Sequence, residues 1–176
     1  MYIIENPVVP SAHPIREQMR AGTEIDVHGN VIHGSHKDFA IELLSGPNIV
    51  LHVNFRFQDE HEVVMNSFIN GSWGPEVRHR NPLKHHDPFN LRIHVHDGYY
   101  NISVNNDHLA EFSHRIPVQA VQAIGIKGAV TVDSISFKGF EFREDWRQPH
   151  EYGHSGYNAY GNEGYFPPQF QNTQYY

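Results

Sequence analysis

The stretch Leu51-His52-Val53-Asn54-Phe55-Arg56-Phe57 alternates between apolar and polar residues without a break. Successive side chains of a strand point to opposite faces, so this is the pattern of a strand with one face in a core and the other outside it. Further short runs read as strands at 39–44, 63–69, 89–96, 99–104, 118–126 and 130–137. They are punctuated by turn residues: Ser45-Gly46-Pro47-Asn48, Asn70-Gly71, Asp97-Gly98, Asn105-Asn106 and Lys127-Gly128. No stretch of useful length carries the 3.6-residue period of a helix. The pattern predicts an antiparallel all-β domain, and a two-sheet sandwich is the default architecture at this size.

Composition narrows the function classes. The chain has 176 residues, 39% of them hydrophobic, enough for one domain with a substantial core. It has no cysteine, which excludes a disulfide framework, a thiolate zinc site, an iron–sulfur cluster and a cysteine nucleophile together. Thirteen Lys+Arg against twenty Asp+Glu, a net charge of −7, argue against a phosphate-backbone binder, so no nucleic acid partner is expected. The opening Met-Tyr-Ile-Ile-Glu-Asn-Pro has neither a basic n-region nor a long apolar h-region. No apolar run approaches the ~20 residues of a membrane span. A soluble chain made in the cytosol, without membrane insertion, is expected.

Composition shifts near residue 143. Residues 143–176 hold six of the nine tyrosines, are rich in Gly, Asn, Gln and Pro, and contain no Val, Ile, Leu or Met. Aliphatic residues build cores, so this segment is read as a low-complexity tail, disordered or loosely docked, behind a domain over 1–142.

The chemistry concentrates in the alternating strand and the twenty or so residues after it. Leu51, Val53, Phe55 and Phe57 face the core, and His52, Asn54 and Arg56 line the other face about 7 Å apart. Met65-Asn66-Ser67 places another amide on the next strand. Beyond the Asn70-Gly71 turn, Trp73 stands between glycines, and Glu76 and Arg78 share a face if they lie on a strand. An aromatic plate, two amides, a histidine, two arginines and a carboxylate, with no nucleophile and no carboxylate pair, suit sugar recognition. An indole stacks on the apolar C–H face of a pyranose, while amide, carboxylate and guanidinium read hydroxyls in fixed directions. Glu76 between Arg56 and Arg78 would hold both guanidiniums ready for the ligand.

At these residues the chain resembles the galectins. Their pattern is a His-x-Asn-x-Arg strand, an Asn on the next strand, then Trp-Gly-x-Glu-x-Arg. It stands here as His52, Asn54, Arg56, Asn66, Trp73, Glu76 and Arg78, all within 27 residues. The resemblance covers roughly residues 7–140 and includes His114-Arg115-Ile116-Pro117. It implies a jelly-roll-like sandwich of two antiparallel sheets that binds β-galactosides of the lactose or N-acetyllactosamine type without a cofactor. By this resemblance His52, Asn54 and Arg56 contact the galactose axial 4-hydroxyl, and Asn66 and Glu76 read the 6-hydroxyl. Trp73 stacks on the galactose face, and Arg56, Glu76 and Arg78 reach the 3-hydroxyl of the second sugar. It also implies partners among glycoproteins and glycolipids, and export without a leader. Two routes to bivalency are open, a homodimer through a sandwich edge or self-association of the tail. Phe55 stands where vertebrate members usually carry Pro, and the 58–62 connection, which borders the second sugar, is short. Invertebrate galectins, nematode ones included, are nearest in look.

Other readings rank lower. A sandwich glucanase needs Glu-x-Asp and a further Glu two or three residues on, but after Glu24-Ile25-Asp26 those positions hold His28 and Gly29, so no enzyme and no catalytic residue are assigned. His94 and His96 share a strand face without a third ligand of matching logic, and the acids are too scattered for calcium, so no metal is expected. The competing class is a galectin-fold structural or protein-interaction module that does not use the sugar groove.

Overall fold

The computed structural model describes residues 1–33 and 37–147. Its strands are β1 (Tyr2–Glu5), β2 (Ser11–Pro14), β3 (Glu24–Val31), β4 (Asp38–Ser45), β5 (Asn48–Arg56), β6 (Glu62–Ile69) and β7 (Ser72–Trp73), followed by β8 (Val77–Arg80), β9 (Pro88–Val95), β10 (Tyr99–Val104), β11 (Asp107–Ser113), β12 (Ala123–Gly128) and β13 (Val130–Lys138). They form two antiparallel sheets packed as a sandwich, one ordered β1-β13-β3-β9-β10-β11, the other β2-β12-β4-β5-β6, with β7 and β8 both paired to the outer edge of β6.

The core forms where the inward faces of the two sheets meet. Phe55 faces inward, carries no exposed surface and stacks on Phe39 at 4.7 Å with rings 9° apart. Phe39 in turn lies 5.2 Å from Phe89 of the opposite sheet. Phe55 is therefore a packing residue between the sheets.

One expected strand is divided. The 118–126 run begins with a 3-10 turn, Val118–Ala120, and pairs only from Ala123. Val118 and Val121 are both buried, and their three-residue spacing is that of a 3-10 turn rather than of a strand.

The tail boundary carries an aromatic anchor. Trp146, 3% exposed, packs within 5.0–5.5 Å of the rings of Tyr2, Phe137, Phe140 and Phe142, and its indole N–H donates to Glu17 Oε1 at 3.4 Å. Trp146 thus docks the start of the expected tail against β1 and β13, and the rest of that tail, 148–176, falls outside the described residues. No helix among the described residues is long and apolar enough to cross a membrane.

Candidate functional site

Strand alternation puts His52, Asn54 and Arg56 on the outer face of the seven-stranded sheet. His52 is paired with Glu42 of β4 on one side and Asn66 of β6 on the other; Asn54 lies between Ala40 and Val64. β8 adds Arg78 opposite Val64, and β7 sets Trp73 opposite Phe68. All seven residues expected from the sequence fall on β5 to β8 and the Gly74-Pro75-Glu76 link.

The polar row is tied into its neighbours. His52, Asn54 and Asn66 have 0% exposure. His52 Nδ1 lies 2.5 Å from Glu42 Oε2, and Lys127 Nζ from β12 stands 3.5 Å from the other oxygen of Glu42. Asn54 donates to Asp38 Oδ2 at 2.7 Å and to the Phe39 carbonyl at 3.1 Å, and accepts from Arg56 Nε at 2.7 Å. Asn66 donates to the Gly74 carbonyl at 2.8 Å and accepts from the Ser67 N–H at 2.8 Å and Arg115 Nη1 at 2.7 Å. Every side chain of the row has its direction set by a bond made within the protein.

Trp73 is half-buried at the end of β7 rather than loose in a turn. Its ring lies 4.8 Å from that of His52 and 5.1 Å from that of Phe68. With Phe68 it packs on a small apolar cluster of Ala12, Leu44, Ile49 and Ala123, separate from the main core. The indole is therefore seated on a firm base beside the polar row.

Arg56 and Arg78 share a carboxylate that the sequence did not single out. Glu60 Oε2 accepts from Arg56 Nη1 at 2.9 Å and from Arg78 Nη1 at 2.8 Å. Glu62 and Glu76 add bonds to Arg78 at 2.6 and 2.9 Å. The bridging role assigned to Glu76 by sequence falls to Glu60. The short 58–62 connection makes this possible. It turns through Asp59 at φ 56°, and Asn81, itself buried, donates to the Arg56 carbonyl at 2.9 Å at its base. Bonds to Arg78 first, then to Arg56, hold the Glu60 carboxyl below its ordinary value, and the three carboxylates, Glu76 first, push Arg78 further up.

Sequence reasoning missed Asp38, Glu42, Lys127 and Arg115. Glu42 had a signal, as the one charged residue inside the apolar run 39–44. Arg115 follows β11 and reaches the site from the opposite sheet, which local periodicity does not reveal.

Residues 10–137 match the family described as galactoside-binding lectin. This chain belongs to the galectins. It is 64% identical to the probable galaptin lec-8 of Caenorhabditis elegans over 176 residues, covering 100% of this chain and 98% of that one. It is 34% identical to the 32 kDa beta-galactoside-binding lectin of the same organism over 137 residues, covering 74% of this chain and 48% of that one. The fold superposes on the crystal structure of C. elegans galectin LEC-6 with a TM-score of 0.72 at 32% identity, covering 77% of this chain and 94% of that one. The galectins are carbohydrate-binding lectins and not enzymes, and the two-sheet sandwich is theirs.

Proposed function

We propose that this galectin binds β-galactosides of the lactose or N-acetyllactosamine type on the outer face of the seven-stranded sheet. Galactose stacks on Trp73 above the row His52, Asn54, Arg56 and Asn66, and the second sugar crosses the group Arg56, Glu60, Glu76 and Arg78. The observation that carries this is the gathering of all seven signature residues on one face, with the guanidiniums fixed by carboxylates beforehand. Preorganised donors lose little freedom on binding. In this reading His52, Asn54 and Arg56 address the axial 4-hydroxyl and Asn66 and Glu76 the 6-hydroxyl. Glycoproteins and glycolipids carrying such sugars are the partners.

Calorimetric titration with lactose and cellobiose tests the reading. An equatorial 4-hydroxyl leaves buried polar groups unmatched, which costs more than a lost contact. Lactose should give a saturable heat and cellobiose none. Equal heats refute the epimer selectivity.

One observation favours the second reading, a galectin-fold interaction module that does not use the groove. His52, Asn54 and Asn66 are fully covered, and the two amides are hydrogen-bonded within the protein. Absence of heat with lactose and with N-acetyllactosamine decides for that reading.

A further inference from the structure

Arg115 leaves the end of β11, in the sheet opposite the site, and reaches across to the turn that carries Trp73. Its Nη1 donates to Asn66 Oδ1 at 2.7 Å and to Ser67 Oγ at 3.0 Å, and its Nη2 donates to the Pro75 carbonyl at 2.6 Å. The guanidinium lies 4.5 Å over the ring of Phe112, which is buried in the core. From the other side Asn66 donates to the Gly74 carbonyl at 2.8 Å, and the Gly74 N–H donates to the Ser67 carbonyl at 3.1 Å. One planar fork thus spans β6 and the Gly74-Pro75 link at once, a geometry that a single ammonium cannot reproduce.

The close fit at Gly74 has the same origin. A Cβ there would stand 2.9 Å from Arg115 Nη1 and 3.3 Å from Asn66 Oδ1. The residue after Trp73 must lack a side chain for Arg115 to reach Asn66 and Pro75 together.

We infer that Arg115 is a positioning residue for sugar recognition: through Asn66 and the Pro75 carbonyl it clasps the Trp73-Gly74-Pro75 turn and sets the attitude of the indole and of Glu76. The inference rests on the proposed β-galactoside reading. Neither the sugar nor the indole needs to touch Arg115. The clasp ties the lectin face to Phe112 in the core, so the stacking plate is fixed relative to the polar row before a ligand arrives, and the ordering cost on binding is correspondingly small.

Arg115→Met keeps the length and loses the donors. With lactose titrated well below the melting temperature, affinity should fall about tenfold or more. In a Trp146→Phe background, where Trp73 is the only indole, acrylamide quenching of the ligand-free protein should rise. Arg115→Lys should recover part of both. A role in stability alone would lower the melting temperature and leave Trp73 quenching unchanged, and that result overturns the inference, as does wild-type lactose affinity in Arg115→Met. Gly74→Ala probes the clasp from the other side and carries the test if Arg115→Met fails to fold. It should weaken lactose and loosen Trp73 in the same way, and wild-type behaviour overturns the clasp. In a folded Arg115→Met background the Gly74→Ala penalty should largely vanish, because the two act as one unit, and full additivity counts against it. A wild-type chain that takes no lactose defeats the proposed function, and the clasp is then judged on Trp73 quenching alone.

Discussion

His52 and Glu42 face each other across β4 and β5 with Nδ1 and Oε2 2.5 Å apart, and neither side chain has exposed surface. With the ring proton on Nδ1, facing the Glu42 oxygen, the Nε2 lone pair is the one left to accept. In the proposed reading it accepts from the galactose 4-hydroxyl. Glu42→Gln keeps the shape and weakens control of the tautomer, so lactose affinity should fall about 5–10-fold in calorimetry. Glu42→Ala also strips the buried partner from Lys127 and should cost about 3–5 kcal/mol in urea unfolding. A Gln variant with wild-type affinity would show that His52 is oriented by something else.

Glu60 sets a separate prediction. It bridges Arg56 and Arg78, and it stands on the connection that borders the second sugar in the proposed reading. Glu60→Gln should weaken lactose more than galactose, because the galactose row keeps its own bonds through Asn54. Glu76→Gln loses one of three carboxylates on Arg78 and should have the smaller effect on the lactose-to-galactose ratio. The ratio of the two affinities is the readout. A uniform loss for both sugars in Glu60→Gln would place its influence on galactose instead.

Trp73→Ala should cut lactose affinity about 5–150-fold, the equivalent of about 1–3 kcal/mol of lost stacking. Because Trp73 also packs on Phe68 and the small apolar cluster, the change will lower stability as well. Trp73→Phe separates the two effects, since it keeps much of the packing and offers a smaller plate. A folded Ala variant with undiminished lactose binding would remove the indole from the site.

The strands that bury one full face were legible, and the edges were not. β4, β5, β6, β9, β10 and β13 follow their apolar runs closely: β9 and β10 keep period two over half-buried strands, and β4 and β6, buried on both faces, stand out as near-continuous apolar runs. β1 and β2 are four residues each, and β11 alternates weakly because it is an edge. β3 carries Gly29-Asn30 inside the strand, and Gly29 is there because a Cβ would run into the Thr131 carbonyl. The seven signature residues were readable because they sit within 27 residues of one another. Asp38, Lys127 and Arg115 were not, because tertiary pairing alone brings them to the site.

Two histidines make stability pH-dependent. Burial lowers His13, and burial followed by His96 and Arg92 lowers His94. Both folded values lie below the unfolded value of about 6.5. The unfolded chain therefore takes up protons first on acidification. Their contribution is complete above about pH 6.5 and is lost as pH falls from there through the folded values. Urea midpoints should decline from about pH 7.5 to about pH 5, and His13→Gln should flatten part of that decline. An unchanged slope in the variant would show that His13 takes up its proton equally in the folded and unfolded states.

The position of Trp146 decides where the chain can be cut. Ending it after Phe142 removes an indole packed among Tyr2, Phe137, Phe140 and Phe142 and should cost about 3–5 kcal/mol, as Trp-to-Ala changes in cores do. Ending it after Arg147 keeps that anchor and every bond described at the site, so stability and lactose affinity should both match the full chain. The second cut isolates residues 148–176, whose alternation of Tyr with Gly, Asn and Gln motivates a role in self-association and glycan crosslinking. Linked weak sites gain about 10²–10⁴ in avidity without new contacts, so agglutination of red cells is the sensitive readout. The cut chain should agglutinate less per mole at equal lactose affinity. If it agglutinates equally, pairing through a sandwich edge is the better route to bivalency, and concentration-dependent sedimentation of the cut chain should then show a dimer.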